Sequence, residues 1–444
     1  MSLTVTERPL LPNAGTPYVA YSYAYPHKTA YRPLTPAPLL SEIWQNEPRD
    51  TLFLYLHVPF CEQRCGFCNL FTLARPEVSL PRQYLDALRR QAETTRAALG
   101  AAQFARLAIG GGTPTFLSAE ELESLFCIAE DSMGADVRSM AASCEASPAT
   151  ITAEKLALLR EWGVTRLSLG IESFNTTDAH ALGRPQRERD VQRALALARE
   201  TGFPVVNLDL IYGGQSQTVN SWLDSVQQAI DYQAEEIYLY PLYVRPLTGL
   251  DRTGRQWDDW RLTLYRAGRD RLLESGYEQV SMRMFQRRNG AVENGPIYCC
   301  QDDGMVGLGC GARSYTRSLH YSREYAVGSR AVAGIMADYL RRTPADFARA
   351  DYGIWLDEDE QRRRWLILSL LPARGLSRED YHQRFGGDVL AHFPELAWLV
   401  EAQLAHVDED TLRLTSAGVE RSDSIGPWLY SDAVRRRSED YSWS

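Results

Sequence analysis

Residues 54–72 read LYLHVPFCEQRCGFCNLFT and place three thiols, Cys61, Cys65 and Cys68, within eight positions. The apolar run from Thr51 to Val58 predicts a strand. Pro59 ends its ladder by removing a backbone donor, so the thiols fall on the loop that follows. Three thiolates on so short a loop can hold three irons of a 4Fe-4S cluster and leave the fourth iron open. A structural zinc site would require a fourth protein ligand. His57 is the only neighbour of that type, and it belongs to the strand.

Outward from this loop, apolar runs alternate with helical patterns. The runs are TLFLYLHV (51–58), FARLAIG (104–110), SMAASCEA (139–146), TRLSLGI (165–171), FPVVNLDLI (203–211) and EIYLYPLY (236–243). Between them, residues 81–99, 118–133, 151–162, 186–201 and 218–232 carry apolar side chains at three- and four-residue spacing. Six nearly continuous hydrophobic strands joined by helices imply a parallel sheet covered on its faces and wound right-handedly. The predicted class is α/β, a partial (β/α)6 TIM-like barrel with chemistry at the C-terminal strand ends, where the thiol loop lies. Residues 1–50, rich in Pro and Tyr, predict a wrapping arm in which His27, Lys28 and Arg32 are more readily packed than ligand-binding. Residues 51–245 form the predicted core. Residues 246–350 read as a barrel extension, with helices near 257–275, short strands and a linking helix from Arg330. Residues 351–444 read as a small α+β winged-helix-like domain, with a hairpin turning at Asp408–Asp410.

Several classes are excluded by composition. A net charge of -9 leaves no basic footprint for nucleic acid, and no apolar run approaches the ~18 residues that span a bilayer. Without a signal-peptide core, and with thiols that need a reducing environment, a cytoplasmic location is expected. Of the other cysteines, Cys127, Cys144, Cys299, Cys300 and Cys310, most are expected in the core. A second feature is IGGGTPTFLS (109–118). Three glycines let backbone lie close to a ligand, and the lysine spacing of a phosphate loop is missing.

The Cys-x3-Cys-x2-Cys spacing with Phe67 before the last cysteine resembles the signature of the radical S-adenosylmethionine (SAM) superfamily. The wider YLHVPFC is similar to the oxygen-independent coproporphyrinogen III oxidase family, which includes haem chaperones. The resemblance implies a 4Fe-4S cluster on Cys61, Cys65 and Cys68, with SAM as second cofactor. It assigns SAM contacts to Tyr55, Phe67, Gly111, Gly112, Thr113 and Thr115, to Glu145 in CEASP, Glu172 in SLGIESFN, Arg184 in LGRPQ and Asp209 in NLDLIYG. It further implies reductive cleavage of SAM to a 5′-deoxyadenosyl radical that acts on a tetrapyrrole or another small organic molecule. The implied electron source is a reductant such as flavodoxin or ferredoxin. A haem-binding chaperone and a radical SAM methyltransferase are the alternatives. His320 and Cys310 are the candidate haem ligands.

Four positions depart from the family's pattern. Leu70 occupies the position of a further cysteine in the oxidase, GGQSQT (213–218) replaces GLPGQT, and Glu172 stands where the oxidase usually has Gln. Arg313 likewise replaces a common His in the glycine-rich GLGCGARSY (307–315).

Overall fold

The structure, a computed structural model, describes residues 15–22, 24–288 and 304–444; Cys299 and Cys300 lie outside the described residues. Six parallel strands follow chain order across one sheet: β1 (Leu52–Val58), β2 (Phe104–Gly111), β3 (Ala141–Ala146), β4 (Arg166–Glu172), β5 (Val205–Tyr212) and β6 (Glu236–Pro241). The strand order is the sequential winding expected, with register such as Val58 opposite Gly111 and Gly170 opposite Asp209. The linking helices are α1 (Leu80–Leu99), α2 (Ala119–Cys127), α3 (Ala153–Glu161), α4 (Glu188–Thr201) and α5 (Val219–Asp231). Ser118 and Glu121 form a reciprocal cap at the start of α2, where the chain leaves the glycine turn. The helix expected over 118–133 stops at Cys127 and closes in a π turn, Ile128–Ser132.

Beyond β6 two short strands, Met284–Arg287 and Tyr277–Gln279, extend that edge, and the sheet also grows from the opposite one. The strand β7 (Met305–Leu308) runs parallel beside β1, and the antiparallel β8 (Arg313–Tyr315), β9 (Leu319–Ser322) and β10 (Tyr352–Trp355) follow it. The region read as an extension therefore continues the same sheet. Only one helix, α6 (Arg261–Glu274), fills the stretch near 257–275; a five-residue turn of helix, Gly249–Thr253, precedes it.

Strand burial marks the concave face. Tyr55 is the one residue of β1, and Asp209 the one residue of β5, that is not fully buried, while Glu145 is the exposed residue of β3. A closed barrel fills its interior with packed side-chain layers. Here Tyr55, Glu145 and Asp209 mark polar openings on that face, while Phe53, Ala108, Ser168 and Asn207 beside them are buried.

Contacts divide the chain into two compact units. One holds Tyr31–Glu278, Phe285–Trp355 and Ser442–Ser444; the other holds the described residues up to Ala30, Gln279–Met284 and Leu356–Tyr441. The second unit has α-helices from Glu358–Leu370 onward and a three-stranded sheet in which Ala405–Val407 pairs with Thr411–Leu414 across the predicted turn. Its arm segment is anchored by Tyr25, which is fully buried and donates to the Glu360 carboxylate, and Glu360 also accepts from Ser431 at 2.6 Å. Lys28 is buried there as well. Among the described residues, no helix is long and apolar enough to cross a membrane.

Candidate active site

The thiol loop is held from both sides by backbone. Leu73 N–H donates to Pro59 O at 2.7 Å, and Arg75 N–H donates to Cys61 O at 2.9 Å. The glycine turn after β2 crosses over it, with Gly112 N–H donating to Val58 O and Thr113 N–H to Phe60 O, both at 2.7 Å. Only glycine fits at this crossing. A Cβ on Gly112 would stand 2.6 Å from Phe60 O and 3.0 Å from Cys61 Sγ. On Gly111, whose φ is +113°, a Cβ would stand 2.5 Å from the His57 ring. Thr113 Oγ1 reaches Cys61 Sγ at 3.6 Å.

His57 is a brace rather than a fourth ligand. The imidazole is buried, lies 3.0 Å from Phe71 O through Nε2 and 3.3 Å from the Tyr55 hydroxyl through Nδ1, and also abuts Gly311. The GLGCG turn, uninformative as sequence, thus packs against the strand that launches the thiol loop.

Cys61, Cys65 and Cys68 are free thiols, the first two buried. Loss of solvation pushes Cys61 up to about 12 and Cys65 up to about 11, with Arg184 opposing the rise at both. These thiols hold their protons at neutral pH, so a metal centre bound there would displace them. Arg184 Nη1 donates to Cys65 Sγ at 3.1 Å; Nη2 donates to Gly170 O at 2.6 Å, and its buried Nε has no protein partner. The donor set fits a thiolate-ligated cluster: three thiols on one loop, a cationic donor at one sulfur, and a glycine turn too tight for any side chain.

Carboxylates line the adjoining strand ends. Glu145 Oε2 accepts from Gly111 N–H at 3.1 Å. Water reaches its side chain from the mouth, yet protein walls it closely enough that loss of solvation pushes the carboxyl up to about 7. Glu172 is likewise pushed up to about 7 by loss of solvation against the pull of Arg184, 3.8 Å away. Asp209 accepts from Ser168 at 3.1 Å and Asn207 at 2.9 Å, and burial raises it too.

Two predicted contacts sit in packed surroundings. Thr115 is fully buried, its hydroxyl shared with Thr150 at 2.6 Å and its carbonyl accepting from Lys155 at 2.7 Å. Phe67 packs on Leu182, Ile211 and Leu242 beside Tyr240, Leu250 and Trp257. His320 is fully buried against Tyr315, and Cys310 is fully buried with its sulfur 3.8 Å from Met336.

Sequence reasoning missed a glycine contact. A Cβ on Gly66 would stand 2.7 Å from Leu182 O, and Gly183 (φ +66°) and Gly249 close on the same spot, so the middle of the thiol loop lies flat against two distant turns. No spacing rule links 66, 183 and 249. Ser168 and Asn207, which orient Asp209, were visible only as strand residues.

Residues 55–229 match the family described as Radical SAM superfamily, and residues 356–420 match the HemN C-terminal domain. The chain is 28% identical over 375 residues to the heme chaperone HemW of Bacillus subtilis, covering 82% of this chain and 95% of the relative. It is 30% identical over 268 residues to HemW of Haemophilus influenzae, covering 59% and 69%. With the oxygen-independent coproporphyrinogen III oxidase of Cereibacter sphaeroides the identity is 28% over 353 residues, 76% of each chain. The fold matches the solved coproporphyrinogen III oxidase HemN of Escherichia coli with a TM-score of 0.76 at 24% identity, over 88% of this chain and 92% of that one. The chain belongs to the radical SAM superfamily and, within it, to the coproporphyrinogen III oxidase-like family that also contains haem chaperones.

Proposed function

We propose that Cys61, Cys65 and Cys68 hold a 4Fe-4S cluster, that SAM binds beside it, and that the protein cleaves SAM reductively to act on a tetrapyrrole or a related organic molecule. The observation that carries this reading is the buried thiol loop clamped under the Gly111–Gly112 turn, with Arg184 donating to Cys65.

When bound, the reduced cluster supplies the electron that splits SAM into methionine and a 5′-deoxyadenosyl radical. The protein's part is binding and exclusion. Glu145, in its deprotonated form, offers an acceptor to an ammonium or ribose hydroxyl at the end of β3. The Gly111–Gly112 turn lets backbone approach a ligand without a side chain between. Arg184 offers a cation to a carboxylate, and Glu172 and Asp209 offer acceptors further along the strand ends. Tyr55 and Phe67 flank the loop with aromatic surface that limits water.

Leu70 favours a reaction other than the oxidase's two decarboxylations, since it is 45% exposed where the oxidase carries a cysteine. The likeness to HemW proteins favours a second reading, a haem-binding chaperone on the same scaffold. The test is anaerobic reconstitution with a strong reductant, followed by assays for 5′-deoxyadenosine, coproporphyrinogen III conversion and haem binding. The proposal expects 5′-deoxyadenosine with slow or no conversion of coproporphyrinogen III. Efficient protoporphyrinogen IX formation would restore the oxidase, and stoichiometric haem binding without SAM cleavage would establish the chaperone.

A further inference from the structure

Glu172, Arg184 and Cys65 form a line of carboxylate, guanidinium and thiol that the backbone goes out of its way to build. Glu172 has a φ of +62°, in the left-handed region that a residue with a Cβ rarely adopts, and it sits at a register shift between Gly170 and Glu172 in the pairing of β4 with β5. Such a conformation persists only where its surroundings over-determine it, and it clusters at functional positions. Gln186 supplies the restraint, donating from Nε2 to Ile171 O and to Ser173 O, both at 2.8 Å, on either side of Glu172. Gly170 supplies the space, since a Cβ there would stand 2.9 Å from Glu172 Oε1 and 3.4 Å from Arg184 Nη2. The result places Glu172 Oε1 3.8 Å from Arg184 Nη1, the same nitrogen that donates to Cys65 Sγ at 3.1 Å. Both side chains are 12% exposed, so water screens the pair weakly.

Hydrogen bonds to cluster sulfurs and local net charge set the reduction potential of an iron–sulfur centre. A cationic donor at a ligand sulfur stabilises the more negative, reduced state. An anion behind that donor offsets part of its charge. We propose that the Glu172–Arg184 pair tunes the cluster held through Cys65, Arg184 raising its reduction potential and Glu172 moderating that rise. The inference rests on the cluster assignment made above. It gives a role to the charge that distinguishes Glu172 from the Gln usual in the oxidase: replacing that carboxylate by an amide would keep the shape and remove the moderation. In this role, separate from any contact with SAM, both act on the centre through the Cys65 sulfur.

The experiment is a redox titration of the anaerobically reconstituted full chain without SAM, run at a pH above the Glu172 value of about 7 so that its carboxylate is ionised. The midpoint potential is read by electron paramagnetic resonance, beside iron and sulfide content, for the wild type, Glu172→Gln, Arg184→Gln and Arg184→Lys. The expected result is a potential shifted up in Glu172→Gln and down in Arg184→Gln, with Arg184→Lys between Arg184→Gln and wild type because the charge is kept without the forked donor. Coincident potentials, or shifts of the same sign in Glu172→Gln and Arg184→Gln, overturn the inference while leaving the cluster in place. If Arg184→Gln assembles no cluster, the upward shift of Glu172→Gln and the downward shift of Arg184→Lys decide the matter alone. A wild-type chain that takes up no iron or sulfide would instead overturn the cluster assignment itself.

Discussion

Glu145 Oε2 accepts the backbone N–H of Gly111 at 3.1 Å, joining the end of β3 to the glycine turn that clamps the thiol loop. One carboxylate oxygen is thereby fixed by main chain. Replacing Glu145 with Ala should weaken SAM binding by ~1–3 kcal/mol, the cost of losing a hydrogen bond to a charged group. Equilibrium dialysis with the reconstituted protein reads this. Iron content should stay at the wild-type level, and an unchanged dissociation constant would remove Glu145 from the binding site.

The same carboxyl predicts a pH dependence. Its folded value of about 7 lies above the ordinary 4.5, because loss of solvation outweighs the Gly111 N–H. The folded apoprotein therefore holds this proton more tightly than the unfolded chain. The stability it contributes is complete below 4.5 and is lost as pH rises to about 7. The melting temperature of the apoprotein should fall across that window, and less steeply in Glu145→Gln. SAM affinity should move the other way, rising as Glu145 deprotonates.

Substituting Cys61, Cys65 and Cys68 together should abolish incorporation of iron and sulfide, which the wild type should take up at about four of each per chain. Cys127→Ala should leave both unchanged. Full iron retention in the triple variant, measured by colorimetric assay after anaerobic reconstitution, would contradict the site.

Gly112→Ala tests the crossing of turn and loop. The added Cβ would meet two backbone oxygens, Phe60 O at 2.6 Å and Val58 O at 2.9 Å, neither of which can swing aside as a side chain can. Iron uptake and SAM binding should both fall. Wild-type values for both would show that the turn accommodates a methyl group.

In the second unit, Arg283 and Asp423 form a buried bidentate ion pair, 5% and 1% exposed, with the guanidinium also over the Tyr21 ring at 3.6 Å. Asp423→Ala leaves a buried cation behind and should cost about 3–5 kcal/mol of stability. Urea denaturation followed by circular dichroism would register it, and a loss below 1 kcal/mol, the scale of exposed pairs, would show that the arginine is rescued by other groups.

Local patterns carried much of this protein. The alternation of buried strands with amphipathic helices determined the winding of β1 to β6, because a strand covered on both faces must be apolar throughout and a surface helix on one face only. The thiol spacing pointed to the chemistry proposed for the loop, since three thiols within eight residues have few structural uses. The hairpin at Asp408–Asp410 was legible for the same local reason. Thr115 shows the limit: its motif position suggested a ligand contact, while its side chain turns inward to Thr150.

What the tertiary structure alone decided is which distant residues share a strand end. The parallel sheet brings Glu145, Glu172 and Asp209 to adjacent edges and folds Arg184 back onto Cys65, 119 positions away. Gly66, Gly183 and Gly249 meet only because their loops rise from different strands at the same end of the sheet, and β7 joins β1 after the chain has passed all six of the parallel strands β1 to β6. Contacts between residues so far apart follow from packing and register, which are set by the summed burial of the whole sheet, and no short window of sequence contains that sum.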